Sequence, residues 1–426
     1  MNWRLVGLSV FLAGFLAAAP PESYIPRFEK TLNENILGFW YPRVLDQHNG
    51  GYRIRVGPHG EDLGPGPKAL VTQARTVWFF ARAARAGYGD RAKLLAAADH
   101  GYRFLIERMW NPKHGGFAWE VDDTGREATR PKIHMYGQSF ALYAISEYAM
   151  ASGRKDVLAF ARKVFDQWER HAHDKLHGGY IEFFNEDWTP AASGDSSYMS
   201  AGPDLKLMNT HLHLMEAVTT FYRASKLPLA RERLLELIAI ESNAVVRKGL
   251  AACTDQYRRD WTPVLEGAGA RVSYGHDLEN IWLIVDAAEA AGVAVSPYLD
   301  LFRENFAYSM KFGWDQKDGG FWYSGAFLQP ADNRMKSWWV QSEVLVSALV
   351  MYRLTRDPRY WEVFEKTWAF VEQHQIDWKT GEWWASVDEQ LRASGDKAGP
   401  WKAGYHNGRA MIEGIRLLKH MSKDQQ

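Results

Sequence analysis

His213 and Glu216 stand three residues apart, and so do His276 and Glu279. On a helix that spacing puts both side chains on one face. A carboxylate beside an imidazole raises its basicity and can fix which ring nitrogen carries the proton. A histidine held in this way can take up and return a proton near neutral pH. His406, in Tyr405-His406-Asn407-Gly408-Arg409, adds another imidazole, and Arg75, in Gln73-Ala74-Arg75, adds a fixed cation. His211 lies two residues before His213 and reads as structural.

Two other chemistries compete for these residues. Three imidazoles from separate segments could hold zinc with one position open, but no His-Glu-x-x-His or comparable ligand spacing is present, so no metal is expected. Glycoside hydrolysis needs two carboxyl groups about 5–9.5 Å apart. Glu279 and Glu343 are the candidates, yet each sits beside His or Gln rather than in an apolar setting that would keep an acid protonated. Cys253 is the only cysteine, which excludes an intramolecular disulfide and a multi-cysteine metal site. Within Leu250-Ala251-Ala252-Cys253-Thr254 it reads as a small buried residue.

The elements that must position these groups repeat along the chain. Gly-Gly-aromatic steps occur at Gly50-Gly51-Tyr52, Gly115-Gly116-Phe117, Gly178-Gly179-Tyr180 and Gly319-Gly320-Phe321, with weaker counterparts near Gly249 and Gly381. Each reads as a short β-hairpin. Downstream of each, Gln73, Gln138, His211, His276, Gln341 and His406 open a largely apolar helical stretch, at intervals of 65, 73, 65, 65 and 65 residues. The long interval holds a Ser-, Gly- and Ala-rich insertion from Pro190 to Pro203. Amphipathic segments such as 92–109, 156–171 and 360–374 lie between. Six nearly all-apolar helices can be buried together only inside a ring of six amphipathic ones, which predicts an all-α (α/α)6 barrel of six helix pairs over residues 20–426. Closing that ring gathers the six polar helix starts at one end.

Bulk properties limit the partner. Lys plus Arg and Asp plus Glu are 51 each, so no net field favours nucleic acid or an anionic membrane. Nineteen Trp and nineteen Tyr supply flat faces and N–H and O–H donors suited to an uncharged sugar. At the N-terminus Arg4 precedes an apolar run from Leu5 to Ala19, of signal-peptide length and too short to span a bilayer comfortably. Residues 1–19 are therefore expected to direct export, periplasmic or extracellular, with no stable membrane association once removed. Pro20 and Pro21 follow the small residues at once and are expected to hinder cleavage.

Asn209-Thr210-His211-Leu212-His213, Ser273-Tyr274-Gly275-His276-Asp277-Leu278-Glu279, Trp338-Trp339-Val340-Gln341-Ser342-Glu343 and Tyr405-His406-Asn407-Gly408-Arg409 together resemble the N-acylglucosamine 2-epimerase superfamily, over essentially everything after residue 22. The resemblance implies a sugar 2-epimerase without cofactor that opens the sugar ring, removes the C2 proton and returns one to the other face. Its members acting on the reducing-end glucose of cellobiose-type disaccharides are the nearest in pattern. The resemblance implies His276 and His406 as the acid/base pair, His213 at the C1 and ring oxygens, and Arg75 on the developing enediolate. Tyr136, Asn209 and Glu279 would orient these groups, and Trp339 and Trp401 would stack on the sugar. Aldose–ketose isomerases share the barrel and the enediolate, and differ in returning the proton to C1. Gly404 stands where many relatives have proline, which is expected to alter loop rigidity near His406.

Overall fold

The computed structural model describes residues 20–247, 249–250 and 252–423, and the expected signal segment 1–19 lies outside the described residues. Helices of two burial patterns alternate along them. The outer helices are α1 (Ile25–Lys30, prolonged through Thr31–Leu37 and Gly38–Trp40), α3 (Arg91–Phe104), α5 (Lys155–His171), α7 (Pro228–Ala239), α9 (Leu299–Gly313) and α11 (Pro358–Phe370). The inner helices are α2 (Leu70–Ala86), α4 (Met135–Ser152), α6 (Met208–Ser225), α8 (Tyr274–Ala291), α10 (Trp338–Thr355) and α12 (His406–Lys423). Almost every residue of α4 is buried, whereas α5 buries one stripe: Val157, Ala161, Val164, Phe165 and Trp168. An apolar stripe needs one covered side and an apolar girth needs all sides covered, so the concentric (α/α)6 barrel follows.

All six hairpins form, including the two weak ones: Leu45 bridges Tyr52, Trp110 Phe117, His173 Tyr180, Val246 Cys253, Trp314 Phe321 and Ile376 Trp383. Antiparallel ladders then join each unit to the next around the barrel mouth, as in Lys68 opposite Val121 and Lys336 opposite Val387. Val56 opposite Ala398 joins the first unit to the last. At the other end of the barrel, Arg82 donates to Glu413 at 2.5 Å and so ties α2 to α12.

A repeated clamp attaches each hairpin to an inner helix. Gln73 Oε1 accepts from the Tyr52 amide at 2.9 Å and its Nε2 donates to the Tyr52 carbonyl at 2.8 Å. Gln138 does the same for Phe117, Gln341 for Phe321, and His211 Nε2 accepts from the Tyr180 amide at 2.9 Å. The structural reading of His211 agrees with this geometry. Gly320 is required here: its φ is +77°, and a Cβ would meet Gln341 Oε1 at 2.7 Å.

The clamp corrects the repeat phase read from the sequence. It sits at the fourth residue of α2, α4, α6 and α10, and in α8 the fourth residue is Asp277, whose Oδ1 accepts from the Cys253 amide at 2.9 Å. In the last unit Asn407 donates to Glu382 Oε1 at 2.5 Å, and that oxygen accepts from the Trp383 amide at 2.9 Å. His276 and His406 therefore stand one residue ahead of the clamp register, and about 100° around the helix from it. Where the other hairpins carry the second glycine these two carry Ala252 and Glu382, the latter at φ +63°. Gly404 is needed for close packing rather than for loop freedom, since a Cβ there would meet Phe79 Cδ1 at 2.8 Å.

Candidate active site

The six inner-helix starts surround a cavity of about 400 Å³ at the mouth, within the usual size of small-molecule sites. Of the residues singled out in the sequence, Arg75, Tyr136, Asn209, His213, His276, Trp339, Trp401 and His406 all line it. Met199, from the 190–203 insertion, and Tyr323, Ser337 and Trp338 complete the wall. Trp401 is 46% exposed at the rim, His213 and His406 are buried, and His276 is half-buried.

Two of the three cavity histidines rest on carboxylates. His213 Nδ1 lies 3.0 Å from Glu216 Oε2, and His406 Nδ1 lies 2.6 Å from Glu343 Oε1. Burial alone would raise the Glu216 carboxyl, but Arg409 and His213 bring it down to about 2. It is thus an acceptor, His213 Nδ1 carries the hydrogen, and Nε2 keeps a free lone pair. Burial lowers the basicity of all three rings: His213 falls below the usual imidazole value, His276 falls to about 3 with help from His213 and Arg75, and His406 falls well below under the added charges of Arg75 and Arg409. All three are neutral at rest and ready to act as bases.

Two expectations fail here. Glu279 does not pair with His276; its Oε1 turns inward and accepts from Arg409 Nη2 at 2.5 Å, and it lies beneath the cavity wall rather than in it. His276 packs against Trp339 instead, with ring centroids 4.7 Å apart. An i to i+3 spacing permits a pair but does not oblige one when a buried guanidinium competes. The apolar-setting argument against Glu279 and Glu343 also fails, because both are fully buried and burial raises both carboxyls. Their oxygens are nevertheless shared through one Arg409 nitrogen, so they do not flank a position where a glycosidic oxygen could sit. Glu279, Glu343 and His406 lie close enough to offer ligands to one cation. Arg409 already supplies that charge, with Nη2 on both carboxylates.

Arg75 points a cation at the cavity. Its Nη1 donates to the Trp401 carbonyl at 2.8 Å and its Nη2 to the Tyr136 hydroxyl at 3.2 Å, and its guanidinium lies 4.2 Å from the Phe140 ring centroid. Asn209 is held by its backbone amide, which donates to Asp255 Oδ1 at 3.2 Å, while its side-chain Oδ1 has no hydrogen-bond partner among the described residues. Sequence reasoning missed Arg409 as a site residue. The available signal was its place two residues beyond the clamp Asn407, matching Arg75, His213, Glu279 and Glu343 in their own units.

The sequence model described as N-acylglucosamine 2-epimerase (GlcNAc 2-epimerase) matches residues 51–410. The chain belongs to that family. A family relative, the cellobiose 2-epimerase of Bacteroides fragilis, is 31% identical over 388 residues, covering 90% of this chain and 97% of its own. The D-mannose isomerase of Marinomonas mediterranea is 25% identical, covering 90% and 95%. The solved cellobiose 2-epimerase of Bacillus thermoamylovorans superposes with a TM-score of 0.85 at 29% identity, over 93% of this chain and 99% of that one. The family's barrel is thus the barrel seen here, and its epimerases belong to the carbohydrate isomerase class.

Proposed function

We propose that the protein is a sugar 2-epimerase acting on the reducing-end glucose of cellobiose-type disaccharides and yielding the mannose epimer. The carrying observation is that His276 and His406, on α8 and α12, line one cavity with Trp339 against both, at ring-centroid distances of 4.7 and 5.7 Å. Two neutral imidazoles on separate helices can serve the two faces of one carbon. One takes the C2 proton from the opened aldose and becomes an imidazolium, and the C2 electron pair forms the enediolate with charge on the carbonyl oxygen. The second takes a proton from solvent once that negative charge has formed and delivers it to the opposite face, after which the first returns its proton to solvent. Arg75 answers the oxyanion charge in a site shielded from water. His213, with its Nε2 lone pair, serves O1 and the ring oxygen during opening, Tyr136 and Asn209 orient the sugar, and Trp339 and Trp401 stack on it. This chemistry asks for no redox group and no phosphate site.

The relatives named cellobiose 2-epimerase, at the higher identity, support C2 rather than C1 as the site of return. NMR of the protein with cellobiose, lactose and mannose in D2O is the test. Deuterium at C2 of both epimers is expected; a ketose product would make it an isomerase, and shortened glycan would make it a hydrolase. We also propose export. Arg4 and the apolar run to Ala19 support it, and N-terminal sequencing of the protein from fractionated cells checks it.

A further inference from the structure

Arg409 is 1% exposed and lies beneath the cavity rather than in its wall. Its guanidinium is held between two rings, 4.6 Å from the Trp282 centroid and 4.3 Å from that of Tyr405. Nη1 donates to Glu216 Oε1, and Nη2 donates to Glu343 Oε1 at 2.8 Å and Glu279 Oε1 at 2.5 Å. Glu216 holds His213 with its other oxygen, and Glu343 holds His406 with the very oxygen that Arg409 binds. An unbroken chain of charge-assisted bonds therefore runs His213, Glu216, Arg409, Glu343, His406, across three inner helices.

We propose that Arg409 is a positioning residue that couples the two imidazoles, so that His213 and His406 carry at most one added proton between them. This rests on the epimerase reading. A single fixed cation is divided among three carboxylates, two of which, Glu216 and Glu343, can each support one imidazolium. When His406 takes the C2 proton, Glu343 answers the new charge. Arg409 is then drawn toward Glu216, which has less charge left to support protonation of His213. The sugar's ring-opening base is thus kept unprotonated while C2 is being worked on. The charged and titratable groups packed around this chain are Arg75 on α2, Tyr136 and Tyr143 on α4, His276 and Glu279 on α8, and Tyr405 on α12. Arg75 faces the upper cavity rather than the carboxylates. On the opposite side Arg82, Arg85 and Arg223, which line a second cavity with Glu216 and Arg409, are paired with Glu413, Glu147 and Asp286.

The test uses the full-length protein, with kcat and KM for cellobiose measured from acid to neutral pH. Failure of the wild type to epimerise cellobiose would overturn the functional reading before any variant is made. Given an active wild type, Arg409→Met is expected to lower kcat roughly 10- to 100-fold, less than the 10²–10⁴ of a group that itself moves the proton, with KM little changed. The acid limb of kcat/KM moves to higher pH, because the cation that disfavours protonation of both imidazoles is gone. Arg409→Lys keeps the charge but loses the two-sided fork. It is expected to return the acid limb to its wild-type position while kcat stays low. A folded Met variant with the wild-type limb leaves only a structural role and overturns the proposal. If the Met variant does not fold, the Lys variant decides, and wild-type kcat there overturns it.

Discussion

His406 Nδ1 and Glu343 Oε1 lie 2.6 Å apart, the shortest imidazole–carboxylate contact in the cavity. With Nδ1 donating, Nε2 is left as the basic atom, and the ring cannot flip without breaking this bond.

The first expected outcome concerns that ring and its counterpart. His406→Ala and His276→Ala are each expected to lose about 10²–10⁴-fold in epimerisation of cellobiose, followed by chromatography, with unchanged far-ultraviolet circular dichroism. One of the two retains C2 hydrogen exchange with D2O while forming little epimer, since proton removal and return belong to different rings. Near wild-type turnover in both variants would remove them from the mechanism.

A second outcome is the share of the pH dependence of stability that the buried histidines impose. His134, His211 and His276 are each brought to about 3 by burial, below the usual 6.5. Below pH 6.5 the unfolded chain binds protons at these rings that the folded chain refuses, so the three rings contribute a loss of stability as pH falls toward 3, by up to about 1.4 kcal/mol per unit each. The buried carboxyls of Glu182 and Asp277, which burial raises to about 8, oppose it down to their ordinary values. Glu216, lowered to about 2, adds to the loss below its ordinary 4.5. Melting temperatures across this range measure it. His211→Gln is expected to remove that ring's share of the acid loss, and an unchanged slope between pH 6.5 and 4.5 in that variant contradicts a neutral buried ring there.

The clamp gives a third. Gln341→Leu leaves the Phe321 amide and carbonyl without their side-chain partners, and each buried orphan costs about 1–3 kcal/mol. Gly320→Ala strains a left-handed residue against the same side chain. Denaturant unfolding is expected to show destabilisation for both. Wild-type midpoints would mean that the hairpins are held by other contacts.

Cys253 supplies the fourth. Its thiol is fully buried and burial pushes it well above its usual value. Thiol reagents are expected to leave the native protein unmodified and active, and to label it only after unfolding. Rapid labelling with loss of turnover would place Cys253 in the chemistry after all.

The barrel was legible because burial pattern and repeat length are properties of local sequence: the Gly-Gly-aromatic steps and apolar girths can be counted without knowing what packs on what. The site residues at the mouth were legible for the same reason. The register of His276 and His406 was not, because Gln, His, Asp and Asn can all clamp a hairpin amide, and only the three-dimensional bond shows whether 276 or 277 does so. Glu279 was misread because its partner, Arg409, lies 130 residues away. A long-range guanidinium that outcompetes a neighbouring imidazole leaves no local trace.

The bridge between Val56 and Ala398, with Lys419 Nζ 2.9 Å from Glu29 Oε1, sets the two ends of the described chain side by side. A ribosome delivers the first unit some 340 residues before the strand that completes it. Until then the apolar flank of α2 that α12 will cover, around Phe79, stays open. The growing barrel is an arc with two sticky edges, and its cooperativity arrives only with the last unit. Truncation from the C-terminus should thus abolish the fold abruptly rather than shorten it, unlike an open helical array that loses stability one repeat at a time.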